Sequence, residues 1–215
     1  MAEPSASLTL LEACWRDLVL GVVQGLTEFL PISSTAHLKA VPELLGWGDP
    51  GVAVTAAIQL GSIIAVIAYF RSDLNQMLRG ISLAFRNGQW REPEARLGFA
   101  MVVGTLPILL IGLGIKFAWA QGYEHSPLRS VPSIAIVSIV MALLLALAER
   151  VGARRKQLPG VSGRDGLLVG LAQALALIPG VSRSGSTLTA ALFDGWQRAD
   201  AARFSFLLGI PAITI

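Results

Sequence analysis

Two short runs of hydroxyl and charged residues stand inside apolar sequence, each just after a proline. They are Leu30-Pro-Ile-Ser-Ser-Thr-Ala-His37 and Ile178-Pro-Gly-Val-Ser-Arg-Ser-Gly-Ser-Thr187. Their side chains suit phosphoryl chemistry. Arg183 stays charged at any working pH, and its planar fork matches the oxygens of a phosphate. Ser182, Ser184 and Thr187 add donors, and Gly180 and Gly185 let backbone approach a ligand. A helix predicted to start near Ser186 would aim its N-terminal amides and positive dipole end at the same anion. The alternative, Arg183 snorkelling to a lipid headgroup, leaves the surrounding hydroxyls without a purpose.

The first run carries the groups for bond breaking. Ser33, Ser34 and Thr35 include at least one expected helix N-cap, and Ser34 is the candidate nucleophile. His37 lies three residues on, on the same helical face, where it could take the Ser34 proton or attack phosphorus itself, and direct attack by water stays open. Just upstream, Glu28 sits in the apolar run Gly25-Leu-Thr-Glu-Phe-Leu30. A carboxylate at a helix centre in a membrane costs about 2.5–3.5 kcal/mol or more and marks a functional site by default. Gln24 precedes it by one helical turn. Glu28 and Gln24 together offer oxygen ligands to a hard divalent cation, Mg²⁺ or Ca²⁺; the competing reading is an ion pair between Glu28 and Arg183. His125, in a polar loop, is assigned nothing, and Asp194 reads as an interfacial residue. No Walker loop, dinucleotide fingerprint or zinc spacing competes.

The elements that position these groups must be membrane helices. Of 215 residues, 53% are hydrophobic and 14% charged, against roughly 25% charged in soluble domains; the mean hydropathy is +0.63. The single Cys14 excludes an internal disulfide and a thiolate metal cluster. Val52–Phe70, Leu97–Ala118 and Val131–Glu149 read as ordinary spans near the ~20 residues required. Leu18–Leu45 and Gly166–Phe193 are apolar but interrupted by the two runs, and fit re-entrant helix–turn–helix pairs better than kinked spans. No cleavable signal peptide is recognisable at the N-terminus. The last segment, from near Ala202, ends apolar at Gly209-Ile-Pro-Ala-Ile-Thr-Ile215, as expected of a piece of a longer protein.

The pI near 9.5 does not point to nucleic acid. Arg71, Arg79, Arg86, Arg91 and Arg96 fall in one loop, and Arg150, Arg154, Arg155, Lys156 and Arg164 in another. Two spans separate these loops, so they share a side, and the positive-inside rule makes it the cytoplasm. The two interrupted segments also resemble each other. Gly21, Gln24 and Leu26 match Gly170, Gln173 and Leu175 at an offset of 149, and Pro31, Ser34, Leu60 and Gly61 match Pro179, Ser182, Leu208 and Gly209 at 148. We read a single membrane domain over residues 1–215, with one repeat at about 15–118 and another at about 131–215. Three spans lie between the copies, so the second is inverted, and inverted repeats place a polar site at their interface near the midplane.

These features resemble the undecaprenyl-diphosphate phosphatase family, the BacA-type bacitracin-resistance proteins. The match is carried by Gln24-Gly-Leu-Thr-Glu-Phe-Leu-Pro-Ile-Ser-Ser-Thr-Ala-His37 and Pro179-Gly-Val-Ser-Arg-Ser-Gly-Ser-Thr187, with Gln59-Leu-Gly-Ser62 and Arg203-Phe-Ser-Phe-Leu-Leu208 beside them. It extends over essentially the whole chain from about residue 15. The resemblance implies an all-α polytopic membrane enzyme of inverted repeats with two re-entrant helix pairs. It implies hydrolysis of undecaprenyl diphosphate to undecaprenyl phosphate and inorganic phosphate, which recycles the lipid carrier of cell-wall synthesis and confers bacitracin resistance. On that likeness the acidic motif falls on Gln24 and Glu28, the hydroxyl–histidine motif on Ser33, Ser34, Thr35 and His37, and the arginine motif on Ser182, Arg183, Ser184 and Thr187.

Gln24 stands where many members carry a second glutamate, Ala36 replaces a common glycine, and members usually continue through further membrane segments. The expected partners are the bilayer and a polyprenyl diphosphate lipid, with no nucleic acid; a homo-oligomer is left open. The expected location is the bacterial plasma membrane, with the site facing the extracytoplasmic side. A transporter or flippase of polyprenyl-phosphate lipid is the alternative, but a nucleophile, base and metal ligand have no obvious use in one.

Overall fold

The computed structural model describes residues 9–119, 122 and 126–213, and the fold it gives is helical throughout, with one isolated bridge between Lys156 and Trp196. His125 lies outside the described residues. In chain order the helices are α1 (Leu10–Phe29), α2 (Ser34–Leu44), α3 (Gly51–Tyr69), α4 (Arg71–Asn87), α5 (Pro93–Ala118), α6 (Val131–Val151), α7 (Gly163–Ala174), α8 (Arg183–Phe193) and α9 (Arg198–Ile213).

Both interrupted segments break where the sequence places proline. The residue before a proline is driven out of the helical region, and Leu30 and Ile178 are both extended, at ψ 145° and 122°. Each helix that follows, α2 and α8, has 11 residues. Each helix that leads in, α1 and α7, opens with a reciprocal capping box, Thr9 with Glu12 and Ser162 with Asp165. The expected cap in the first motif is absent, since Ser33 at the N-cap of α2 makes no side-chain capping bond. Ser182 caps α8 instead, accepting the Gly185 N–H at 3.1 Å. The helix expected near Ser186 begins at Arg183, which therefore stands in its first turn.

α5 and α6 are each long and apolar enough to cross a membrane, and α3 passes that test together with α4, from which it is bent by 68°. α4 is a correction to the basic loop expected at Arg71, Arg79 and Arg86. Leu74, Met77, Ile81 and Ala84 recur at helical spacing, and this face packs on α5 closely enough that a Cβ on Gly80 would lie 2.5 Å from that of Glu94. α6 buries little but Ala148 and turns Ile136, Ile139, Leu143 and Leu147 outward. In water such a surface would aggregate; in a bilayer it is solvated.

The interior gathers on α9, where Phe204, Leu207 and Leu208 are fully buried against α5, α7 and α8. Helices α5 and α7 approach through glycine. A Cβ on Gly166 would lie 2.2 Å from the Ala100 carbonyl oxygen, and one on Gly170 2.2 Å from that of Gly104. Small residues four apart let membrane helices touch backbone to backbone. Gly170→Ala must push against backbone, so it is expected to destabilise by about 1–3 kcal/mol. Thermal melting in detergent checks this; a variant that melts like the parent would contradict the close approach.

Lys156, between α6 and α7, ties the start of α7 to the end of α8. Lys156 Nζ donates to Asp165 at 2.9 Å and to Asp194 at 2.5 Å, and Trp196 Nε1 donates to Asp194 at 3.0 Å. Asp194 thus closes a polar clamp with Lys156 and Trp196. Burial pushes the Asp165 carboxyl up, but hydrogen bonds from Ser162 and Lys156 outweigh it and hold it down to about 2. A depressed carboxylate stabilises the fold above its unfolded value near 3.9 and loses that contribution as pH falls through its folded value. The melting temperature is therefore expected to fall between about pH 4 and pH 2, and Asp165→Asn to flatten that part of the profile.

Candidate active site

The two proline breaks face each other, and one ion pair joins them. Glu28 stands in the last turn of α1 and Arg183 in the first turn of α8, and Arg183 Nη2 donates to Glu28 Oε1 at 2.6 Å. The Glu28 side chain is 8% exposed and that of Arg183 16%. Two charges so far out of water are tolerated only when paired and hydrogen-bonded, and Glu28 is surrounded by donors. Ser34 Oγ donates to Oε2 at 2.6 Å and Gln24 Nε2 to the same oxygen at 3.0 Å. Gln59 of α3 reaches Oε1 at 3.5 Å and accepts from Gln24 at 2.5 Å.

Ser184 fastens the breaks together. Its hydroxyl lies 3.1 Å from the Leu30 carbonyl and 3.3 Å from that of Glu28, two of the carbonyls that the end of α1 leaves without helical partners. Thr187 is turned inward as well, bonded to the carbonyls of Arg183 at 2.9 Å and Ser184 at 3.1 Å and to Ser205 at 2.5 Å. Among the residues expected to bind substrate, these two hold the architecture. Ser33, Ser34, Thr35 and Ser182 line a cavity of about 360 Å³ with Glu28, Gln59 and Arg183, a size that suits a compact polar ligand. A larger groove of about 720 Å³ runs between α3 and α9 beside Phe29, but it is mostly apolar and its charged groups, Asp73 and Arg203, pair with each other.

The His37 ring is hydrogen-bonded to the Ser33 backbone and not to the Ser34 hydroxyl. Its Nδ1 lies 2.9 Å from the Ser33 carbonyl oxygen. A carbonyl only accepts, so the Nδ1 in this contact is the donor. Ser33 itself has φ 64° and ψ 92°, a conformation that side chains rarely adopt and that functional sites often hold. The Ser34 hydroxyl instead faces the Glu28 carboxylate, donating to it at 2.6 Å.

Among the described residues no group of three or more His, Cys, Asp and Glu could hold a metal ion. The local donors are nonetheless all oxygen: Glu28, the Ser34 hydroxyl and the amide oxygens of Gln24 and Gln59. Gln24 is fully buried, and its Oε1 has no hydrogen-bond partner among the described residues. One carboxylate with neutral oxygens fits Mg²⁺ where substrate phosphates supply the remaining ligands. Sequence reasoning missed Gln59 as a site residue; the available signal was an amide in an otherwise apolar spanning segment.

Comparison with known proteins supports the same reading of the chain. Residues 17–215 match the family described as bacitracin resistance protein BacA. Over all 215 residues the chain is 89% identical to the undecaprenyl-diphosphatase of Synechococcus sp. (strain CC9605), covering 75% of that protein. It is 83% identical over the same span to the undecaprenyl-diphosphatase of Parasynechococcus marenigrum (strain WH8102), again covering 75% of it. With that of Prochlorococcus marinus (strain MIT 9303) it shares 76% over 206 residues, 96% of this chain and 70% of that protein. The joined proline breaks and the identity across both of them lead to one assignment: this chain belongs to the bacitracin resistance protein BacA family.

Proposed function

We propose that this membrane protein hydrolyses undecaprenyl diphosphate to undecaprenyl phosphate and inorganic phosphate, recycling a cell-wall lipid carrier and thereby conferring bacitracin resistance. The observation that carries the reading is the Arg183–Glu28–Ser34 constellation, assembled from residues 155 apart in sequence. It places an anion clamp, a carboxylate and a hydroxyl on one small cavity.

The terminal phosphate enters that cavity, and the Arg183 guanidinium transfers from Glu28 to the phosphate oxygens, where it binds as a fork. This frees the carboxylate that already accepts the Ser34 proton. The Ser34 Oγ–phosphorus bond forms as the bond from that phosphorus to the bridging oxygen breaks, and undecaprenyl phosphate leaves with the electron pair. The Ser34 proton passes to Glu28. Water then attacks the phosphoserine, the phosphorus–Oγ bond breaks, and Ser34 recovers a proton. Ser33, Thr35 and Ser182 contribute hydroxyls around the phosphate, while Ser184 and Thr187 keep the arginine turn in place. His37 holds the Ser33 carbonyl, and its Nε2 is the second candidate base. A divalent cation would be held by Glu28 with the amide oxygens of Gln24 and Gln59, and when bound it neutralises diphosphate charge.

The finer architecture is part of the proposal. The equal lengths of α2 and α8, the paired prolines and the paired capping boxes support two inverted repeats with re-entrant helix pairs in one domain. The basic residues of α4 and of the segment between α6 and α7 support a bacterial plasma-membrane protein whose first break opens outward, so that the reaction is extracytoplasmic. The test is phosphate release from detergent-solubilised undecaprenyl diphosphate, with and without a chelator. Release that falls on chelation supports both the phosphatase and the cation; release indifferent to chelation removes the cation alone; no release removes the phosphatase.

A further inference from the structure

We propose that Gly209 is a positioning residue for Arg183, a claim that rests on Arg183 being the phosphate clamp. A Cβ built on Gly209 would lie 1.9 Å from Arg183 Nη1 and 3.0 Å from its Cζ. The guanidinium therefore occupies the space that a side chain at this position of α9 would fill. Its other nitrogen, Nη2, meets Glu28 at 2.6 Å. The head of Arg183 is held between a carboxylate of the first motif and bare helix backbone of α9. One turn earlier on the same face of α9, the Ser205 hydroxyl bonds that of Thr187 at 2.5 Å, and Thr187 donates to the Arg183 carbonyl at 2.9 Å. The base and the head of the arginine are thus both set by α9.

The demand for glycine is specific to this site. Gly61, the counterpart of Gly209 at an offset of 148, would place a Cβ with nothing within 4 Å. The atoms that a Gly209 side chain would strike are the end of a flexible side chain, unlike the backbone atoms facing Gly166 and Gly170. Alanine at 209 is accommodated by moving the guanidinium and not the helices, and alanine also favours the helix more than glycine does. The fold is kept while the clamp retreats from the phosphate.

The experiment compares wild type, Gly209→Ala, Arg183→Lys and the double variant in kcat/KM for phosphate release from undecaprenyl diphosphate and in Tm. Gly209→Ala is expected to melt no lower than wild type and to lose on the order of 10²-fold in kcat/KM, the scale of a 1 Å misplacement. In the Arg183→Lys background, where no Nη1 remains to be struck, the same change is expected to cost little more. Wild-type turnover by Gly209→Ala, an equal fractional loss in both backgrounds, or activity lost together with Tm would each overturn the proposal. If wild type releases no phosphate, the phosphatase reading fails separately. The cycle read in Tm still decides the positioning claim: coupled shifts support it, and additive shifts overturn it.

Discussion

Arg183→Ala is expected to lower phosphate release by on the order of 10³-fold or more, the scale at which an arginine contributes to phosphoryl transfer. Two effects act together. The transition state loses its fixed positive charge, and Glu28, now buried without its partner, loses the group that balances it. Stability should fall too, so the assay needs a comparison that separates the two effects. Arg183→Lys restores a charge without the fork. It is expected to recover the melting temperature more fully than the activity, because bidentate geometry and not charge alone is what a phosphate requires. Activity and stability recovering in equal measure would count against a clamp.

The second large effect is expected at Ser34. Its hydroxyl is 2.6 Å from Glu28 Oε2, so Ser34→Ala removes the proposed nucleophile while leaving the Glu28–Arg183 pair in place. Turnover should drop by roughly 10³-fold or more, leaving what the clamp and binding alone provide. His37→Ala is expected to lose far less, since its imidazole is held at the Ser33 carbonyl. Mass spectrometry of enzyme quenched during turnover should find phosphate on Ser34. Phosphate on Ser33 or His37 would move the chemistry to that residue, and a more damaging effect of His37→Ala than of Ser34→Ala would restore the imidazole as the base.

The site was legible in sequence wherever the membrane makes a residue type costly. Glu28 and Arg183 stand out because charge in hydrocarbon needs a reason, and the two pair on one cavity, 155 residues apart in sequence and 2.6 Å apart in space. The proline breaks were legible because the ring dictates the conformation of its neighbour, as Leu30 and Ile178 show. Hydroxyl roles were not. Ser184 and Ser34 are alike in sequence, yet one fastens backbone and the other faces the carboxylate, and only packing decides between them. The partner of the imidazole was not legible either: three residues along a helix place His37 and Ser34 on one face, but His37 Nδ1 bonds the Ser33 carbonyl at 2.9 Å. The arginines of α4 suggest a loop, but Leu74, Met77, Ile81 and Ala84 among them recur at helical spacing and pack against the core, so the segment is a helix. Gly209 carried no signal beyond its match to Gly61, since a close approach between α9 and an arginine head exists only in three dimensions.

The claim that the two motifs form one catalytic unit is tested most directly by kcat/KM for undecaprenyl diphosphate hydrolysis in Glu28→Gln, Arg183→Ala and the double variant, each checked for folding in detergent. Residues that act as a unit are not additive. The expected result is that each single change removes most of the activity and the double variant is little worse than the more damaged single. Substantial turnover in both singles, or losses that simply multiply in the double, would contradict a shared site.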